Sequence, residues 1–254
     1  MKYALLSDVH ANLPALDAVL GELARSSDVV ATYHLGDLVG YAPWPNEVVG
    51  RLQQAVIAGV CGNYDSTVAN DYKHCGCRYE DARQEALSHS SYDWTRAHVS
   101  AATKRVLRQL PFRLDIRPLG GHLAGPTFTL VHGTPLNNTT YWTRDRSDAF
   151  CLKMAEAAGA RAGDLLAFGH THASWHRVVG GIHFVNTGSV GRPKDGDWRA
   201  GFAVVELDEA GEIAVDLVRV EYDVQRAMDA ICDSALPSEF AEYLRHGGDV
   251  PTHA

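Results

Sequence analysis

Residues 3–10 read YALLSDVH: a short apolar run, Tyr3 to Leu6, that gives way at once to Ser7, Asp8 and His10. That is the signature of a buried strand whose carboxyl end opens onto a polar site. The pattern recurs along the chain. Residues 29–35 form a second strand candidate and run into Gly36-Asp37, and residues 55–61 form a third that runs into Gly62-Asn63. Further on, residues 128–131 lead into His132-Gly133, and residues 165–168 into Gly169-His170-Thr171-His172. Between the first three runs, Leu13, Leu16, Leu20 and Leu23 keep helical spacing, and residues 47–52 look helical. The resulting β-α-β-α-β order predicts parallel strands joined by crossover helices.

Outward from this frame the rhythm breaks and then resumes. Residues 66–110 are polar and rich in Ser, His and Arg; they read as a helical insertion, with a loop over 70–78 and helix from about 81. Beyond Pro111, residues 177–179 turn through Gly180-Gly181 into a strand over 182–185. Residues 201–207 and 213–220 form a hairpin joined by Asp208-Glu209-Ala210-Gly211, and the tail over about 224–246 is helical. No repeat, low-complexity tract or Pro/Ser-rich linker divides the chain, so residues 1–254 are expected to form one domain, a length that can bury its own core.

A formal net charge of -8 rules out a global basic footprint for nucleic acid, although a metal site could supply positive charge locally and leaves a nucleic-acid substrate open. The five cysteines are odd in number, irregularly spaced and without a C-x-x-C pair, which argues against a disulfide framework. The N-terminal apolar run is interrupted by Asp8 and His10 and lacks a small-residue cleavage site, and no stretch approaches the ~20 apolar residues of a membrane span. The expectation is a cytoplasmic protein with no membrane partner.

The residues at the strand ends form a coherent donor set of two Asp, four His and one Asn: Asp8, His10, Asp37, Asn63, His132, His170 and His172. Carboxylate oxygens with imidazole nitrogens suit manganese, iron, zinc or nickel better than calcium or magnesium, and the lack of thiolate argues against a soft site. Seven ligands exceed what one tetrahedral ion needs and fit two ions sharing a bridging carboxylate. Glycines 36, 62, 133 and 169 flank these residues and permit tight turns and close backbone approach. A lone D-x-H or H-x-H is a weak signal. Five such fragments in order, each at a strand end, are not.

Taken together, D-x-H, G-D-x-x-G, G-N-x-D, H-G and G-H-x-H resemble the motif set of the calcineurin-like metallophosphoesterases, over Asp8 to about Gly191. The segment NTGSVGRP at 186–193 is similar to one in the small prokaryotic single-domain phosphodiesterase-like branch. The resemblance implies an α/β fold, a four-layer α-β-β-α sandwich of two mixed sheets. It also implies one metal on Asp8, His10, Asp37 and His172 and another on Asp37, Asn63, His132 and His170, with Asp37 bridging. Manganese comes first among the divalent transition metals such a site accepts. The implied chemistry is hydrolysis of a phosphate ester, a small molecule or nucleotide, by in-line attack of a hydroxide shared between the metals. Cleavage of a dinucleoside polyphosphate or other pyrophosphate bond is the alternative, and a metal-poor binding scaffold of the same fold is the reading from another class.

Three positions depart from the protein-phosphatase branch. Tyr64 stands where that branch has a histidine that protonates the leaving group, Gly40 where an aspartate orients that histidine, and Tyr41 where an arginine grips phosphate. A phenol is a weaker general acid than imidazolium at neutral pH. The resemblance therefore points away from phosphoprotein monoesters and towards phosphodiesters, with Tyr64 near the leaving group. Arg192 is a candidate phosphate contact. Tyr141 and Trp142 are candidates for the cleft wall or for packing, and His74, Cys75 and Cys77 for a third metal or a local cluster.

Overall fold

The computed structural model describes residues 1–78, 81–118 and 125–248. The chain opens with β1 (Lys2–Leu6), α1 (Leu13–Arg25), β2 (Val29–His34), α2 (Pro45–Gln54), β3 (Ala58–Gly59) and α3 (Asn63–Ala69). The long helix α4 (Ala82–His98) and the shorter α5 (Ala101–Gln109) follow, and then β4 (Arg113–Ile116), β5 (Phe128–Val131), α6 (Asp148–Ala158) and β6 (Leu165–Phe168). The chain ends with β7 (Ser174–Val179), β8 (Ile182–Thr187), β9 (Ala200–Leu207), β10 (Ile213–Val220), α7 (Val224–Cys232) and α8 (Glu239–His246).

Two five-stranded sheets result. One has the order β10-β9-β1-β2-β3, the other β4-β5-β6-β8-β7. Each is parallel at its centre, where β1 pairs with β2 and β6 with β5 and β8, and antiparallel towards its hairpins. Strand alternation sorts the side chains into layers. Tyr3 and Leu5 of β1 and Leu165 and Ala167 of β6 share a core with Phe128, Leu130, Val185 and Val205 between the sheets. The intervening Ala4 and Leu6 face helices α1, α2, α7 and α8, while Leu166 and Phe168 face α6. Both sheets are thus covered on two faces, which explains the unbroken apolar runs over residues 3–6 and 165–168. The layers are helix, sheet, sheet and helix, as the motif resemblance implied.

The third strand is shorter than its sequence predicts. Over 55–61 only Ala58–Gly59 pairs, because Ala55 and Ile57 still donate to carbonyls of α2 and Val56 turns the chain at φ 55. Three elements went unmarked in the sequence, the short helix α3, the short edge strand β4 and helix α6, although Ser147 caps α6 and Gly159 ends it in the left-handed conformation. The tail forms two helices rather than one, broken over 233–238. Cys75 and Cys77 are joined by a disulfide, a pairing that the irregular cysteine spacing did not suggest; with Cα atoms 5.4 Å apart they lie in ordinary bridging range. Among the described residues no helix is long and apolar enough to cross a membrane.

Candidate metal centre

All seven predicted donors come together at the carboxyl ends of the strands, and all are buried. Two clusters form: Asp8, His10 and His172 in one, and Asp37, His132 and His170 in the other, the donor atoms of each within 4.8 Å of one another. Each cluster draws on both sheets. Asp8, His10 and Asp37 follow β1 and β2, whereas His132, His170 and His172 follow β5 and β6. Asn63 opens α3 and places its Oδ1 3.1 Å from His132 Nε2.

The imidazoles are aimed by the backbone. His10 Nδ1 donates to the Val39 carbonyl at 3.1 Å, His132 Nδ1 to that of Leu35 at 2.8 Å, and His172 Nδ1 to that of Arg192 at 2.6 Å. With Nδ1 committed, Nε2 of each ring faces the site, the arrangement in which a metal-binding histidine is held. The ring nitrogens then crowd one another: His10 Nε2 is 3.0 Å from His172 Nε2, and His132 Nε2 is 3.2 Å from His170 Nδ1. Facing lone pairs on His10 and His172 gain nothing from such a contact, whereas a cation between them would be held by both.

The carboxylates are divided in the same way. Asp8 Oδ2 accepts from Ser7 Oγ at 2.6 Å and from the His170 amide at 3.0 Å, while its buried Oδ1 makes no hydrogen bond and lies 3.2 Å from His172 Nε2. Asp37 Oδ1 accepts from the Tyr64 amide at 2.9 Å. Asp37 Oδ2 is left 3.8 Å from His10 Nε2 and 3.4 Å from His132 Nε2, between the two clusters.

Burial works to raise the Asp8 and Asp37 carboxyls, but the surrounding histidines outweigh it and hold both below the usual carboxylate range. Burial, helped by neighbouring histidines, drops His10 to about 3 and His170 to about 4, so both rings stay neutral. His132 goes the other way: burial opposes it, yet Asp37 and Asp8 lift it to about 9. The centre draws positive charge even as a bare proton. A donor set of this kind fits divalent cations.

Backbone strain is concentrated here. Nine non-glycine residues among those described have positive φ, and five of them are Asp8, His10, Asp37, His170 and His172. Asp and His tolerate this region better than most side chains, and such outliers persist where surrounding structure over-determines them. Much of that support comes from residues outside the seven donors. Ser189 Oγ donates to the Asp8 carbonyl, and Asn12 caps α1 through the Ala15 amide while its Nδ2 holds the Gly191 carbonyl. Asn186 Nδ2 holds the Gly169 carbonyl, and Asp65 accepts from the amides of Leu38 and Gly62. These residues explain the segment 186–193: it leaves β8 and braces the Asp8 loop on its way to β9. Asp65 was signalled as the last residue of G-N-x-D, and Asn186 and Ser189 lie in the NTGSVGRP segment; Asn12 was marked only as a polar residue beside an apolar run.

The flanking glycines are required mainly for close approach. Gly36 does adopt φ 89, but a Cβ on Gly62 would stand 2.1 Å from Asp37 Oδ1, and one on Gly169 would stand 2.3 Å from Asp8 Oδ2.

An open pocket leads from the clusters to the surface. Its lining includes Tyr41, Tyr64, Ser88, Arg192, Lys194, Phe240, Tyr243, Tyr141, Cys77 and Arg78. Tyr64 is buried, with its ring edge-on to His10 at 5.6 Å. Its hydroxyl lies near those of Tyr41, Ser88 and Ser91 without a hydrogen bond of good geometry, and burial, then Tyr41, pushes the phenol well above 10. Arg192 is in the wall, its guanidinium over Tyr41. Tyr141 also reaches the site, its ring 4.4 Å from that of His170, whereas Trp142 is core, stacked on Phe168 at 4.2 Å.

The same arrangement of sheets recurs in known proteins. The chain aligns with the protein MJ0912 of Methanocaldococcus jannaschii at 27% identity, over 95% of this chain and 96% of that one. The crystal structure of a metallophosphoesterase from Sphaerobacter thermophilus superposes with a TM-score of 0.75 at 27% identity, covering 97% of this chain and 99% of that one. The protein PH1004 from Pyrococcus horikoshii gives 0.80 at 23% identity over 98% and 99% of the two chains, a likeness of fold. The family model described as the calcineurin-like phosphoesterase superfamily domain matches residues 1–210, which take in both sheets up to the β9–β10 turn and every one of the seven donors. By that match the chain belongs to the calcineurin-like phosphoesterase superfamily.

Proposed function

We propose that the chain is a two-metal phosphodiesterase acting on esters with good leaving groups, with manganese the first metal to try. The observation that carries this is Asp37 Oδ2, which lies within 3.8 Å of a ring nitrogen from each cluster and so can serve two cations at once. Asp8, His10, Asp37 and His172 would hold one ion, and Asp37, Asn63, His132 and His170 the other. Two divalent ions there supply Lewis acidity, an activated water and a clamp on the phosphate oxygens.

The protein's own part is positional and electrostatic. Carbonyls of Val39, Leu35 and Arg192 fix three imidazoles, and the Tyr64 amide fixes one oxygen of Asp37. Among the described residues, every histidine lining the pocket is a proposed ligand, so no free imidazole is available to protonate a departing alkoxide. Tyr64 is the candidate beside the leaving group, and its raised phenol makes it a weak donor. That favours aryl-like or nucleotide leaving groups over simple alkoxides. Tyr41, with Arg192 over it, packs beside His10 of one cluster and Tyr141 beside His170 of the other, which suits a phosphorus bearing two substituents.

The test is turnover of metal-loaded protein on an aryl phosphodiester and the matching monoester, with elemental analysis of the same sample. Diester preference is expected, and a strong monoester preference removes the diesterase assignment. Three cationic side chains in the pocket, Arg78, Arg192 and Lys194, also favour a second reading, hydrolysis of a pyrophosphate bond in a nucleotide, which a nucleotide panel separates. Protein that stays metal-free after incubation with manganese would instead support a binding scaffold.

A further inference from the structure

Arg192 belongs to two parts of the molecule at once. Its backbone carbonyl accepts from His172 Nδ1 at the metal centre. Its side chain turns away, and the guanidinium carbon lies 4.2 Å from the ring centre of Tyr41, 5.6 Å from that of Phe240 and 5.5 Å from that of Tyr243, the last two on α8. The residue is only 7% exposed, its Nε has no hydrogen-bond partner, and no ion pair joins it to a carboxylate among the described residues. Cation–π attraction recovers only part of the cost of burying a charge, and a buried guanidinium without an anion is an uncompensated one. Yet it lines the same pocket as His10, His172 and Lys194, so a ligand there can reach it.

Building on the phosphoesterase assignment above, we propose that Arg192 forms a second oxyanion site, taking a charged group on the substrate arm beyond the phosphorus under attack. The phosphorus itself would be held at the two metal clusters. No hydrogen bond or ring contact joins the guanidinium to any of the seven donors among the described residues, which places its ligand off the centre. Three aromatic rings within 5.6 Å of the guanidinium carbon hold the planar fork and leave its donors for a phosphoryl or carboxylate group. Helix α8, outside every recognised motif, thereby becomes an element of substrate selection.

The experiment uses the full-length, metal-loaded protein and three p-nitrophenyl phosphodiesters whose second arm is ethyl, 2-carboxyethyl or 2-phosphoethyl, followed by nitrophenolate release. A charge-assisted contact should lower KM for a charged arm about 10- to 100-fold relative to ethyl. Preference for both charged arms assigns the site to oxyanions in general, and preference for 2-phosphoethyl alone assigns it to phosphoryl groups. Arg192→Met should erase the preference through KM, and Arg192→Lys should keep part of it. The second readout is the melting-temperature shift caused by 2-carboxyethylphosphonate against ethylphosphonate, expected to be larger for the former in the wild type and equal in Arg192→Met. Equal KM values for all three arms in the wild type overturn the proposal. So does an Arg192→Met protein that melts earlier but keeps the preference, since the arginine would then only pin α8. If no phosphate ester is turned over but the two phosphonates still shift melting differently, the esterase assignment fails and the anion site stands.

Discussion

Gly62→Ala is the sharpest test of the metal-centre geometry, because the residue it alters is not itself a donor. A Cβ there would stand 2.1 Å from Asp37 Oδ1 and 2.3 Å from the Asp37 amide nitrogen, where contacts under 3.0 Å are essentially never seen. Relief requires about 1 Å of movement, either of the carboxylate placed between the clusters or of its backbone, already at φ 53. The Tyr64 amide, 2.9 Å from that oxygen, would lose its acceptor. Misplacing a reacting geometry by about 1 Å costs on the order of 100-fold in rate, and overpacking a tight site costs about 1–3 kcal/mol in stability. Gly62→Ala should therefore lose at least about 100-fold in turnover and retain less metal after dialysis, while unfolding in urea with a loss of about 1–3 kcal/mol. Gly50→Ala is the control. Nothing lies within 4 Å of its Cβ, and it sits within α2, so it should keep activity and gain up to about 1 kcal/mol. If Gly62→Ala binds two metals as tightly as the wild type and turns over normally, the close approach of residues 37 and 62 is wrong, and with it the placement of Asp37 between the clusters.

Other perturbations separate the remaining roles. Asp37→Asn keeps the shape but removes the negative charge, so both ions should weaken and turnover fall by at least about 100-fold, checked by elemental analysis beside the diester assay; two firmly held ions with near-normal rates would end the bridging assignment. Tyr64→Phe should leave metal content unchanged and slow an alkyl leaving group more than an aryl one, and a lost metal would make Tyr64 a ligand or a structural support instead. His34 is fully buried and held near 4 by burial, well below its value of about 6.5 in an unfolded chain. The unfolded state thus takes up a proton that the folded state refuses, and the contribution is present above about pH 6.5 and lost as the pH falls through about 4. His34→Leu should flatten the acid limb of stability by about 3 kcal/mol in urea titrations between pH 4 and 8, and an unchanged limb would mean that His34 is solvated in the folded state.

How far the sequence could be read depends on what kind of interaction decides each feature. The strands β1, β5 and β6 and the donors that follow them were legible because burial on both faces demands largely apolar runs, and the donors interrupt those runs abruptly. The hairpins at Gly180-Gly181 and at residues 208–211 were legible from turn chemistry. Strand β3 was overread because residues 55–57 are apolar enough for a strand but are spent unwinding α2. The bracing bonds of Asn12, Asp65, Asn186 and Ser189 were not legible, since they join backbone groups distant in sequence that meet only in the fold. The aromatic cluster at Arg192 was hidden for the same reason: Tyr41, Arg192 and Phe240 meet only after the chain has crossed both sheets.

That each donor cluster takes side chains from both sheets has a mechanical consequence. Asp8 and His10 reach across to His172, and Asp37 to His132 and His170. Ions seated there would act as rivets along the seam that otherwise depends on Tyr3, Leu5, Phe128 and Leu130 meshing between the layers. Binding that occurs only in the assembled state adds to its stability by mass action. A cell short of metal would then hold less of this protein as well as a less active one, because molecules without their rivets would open along the seam and be degraded first.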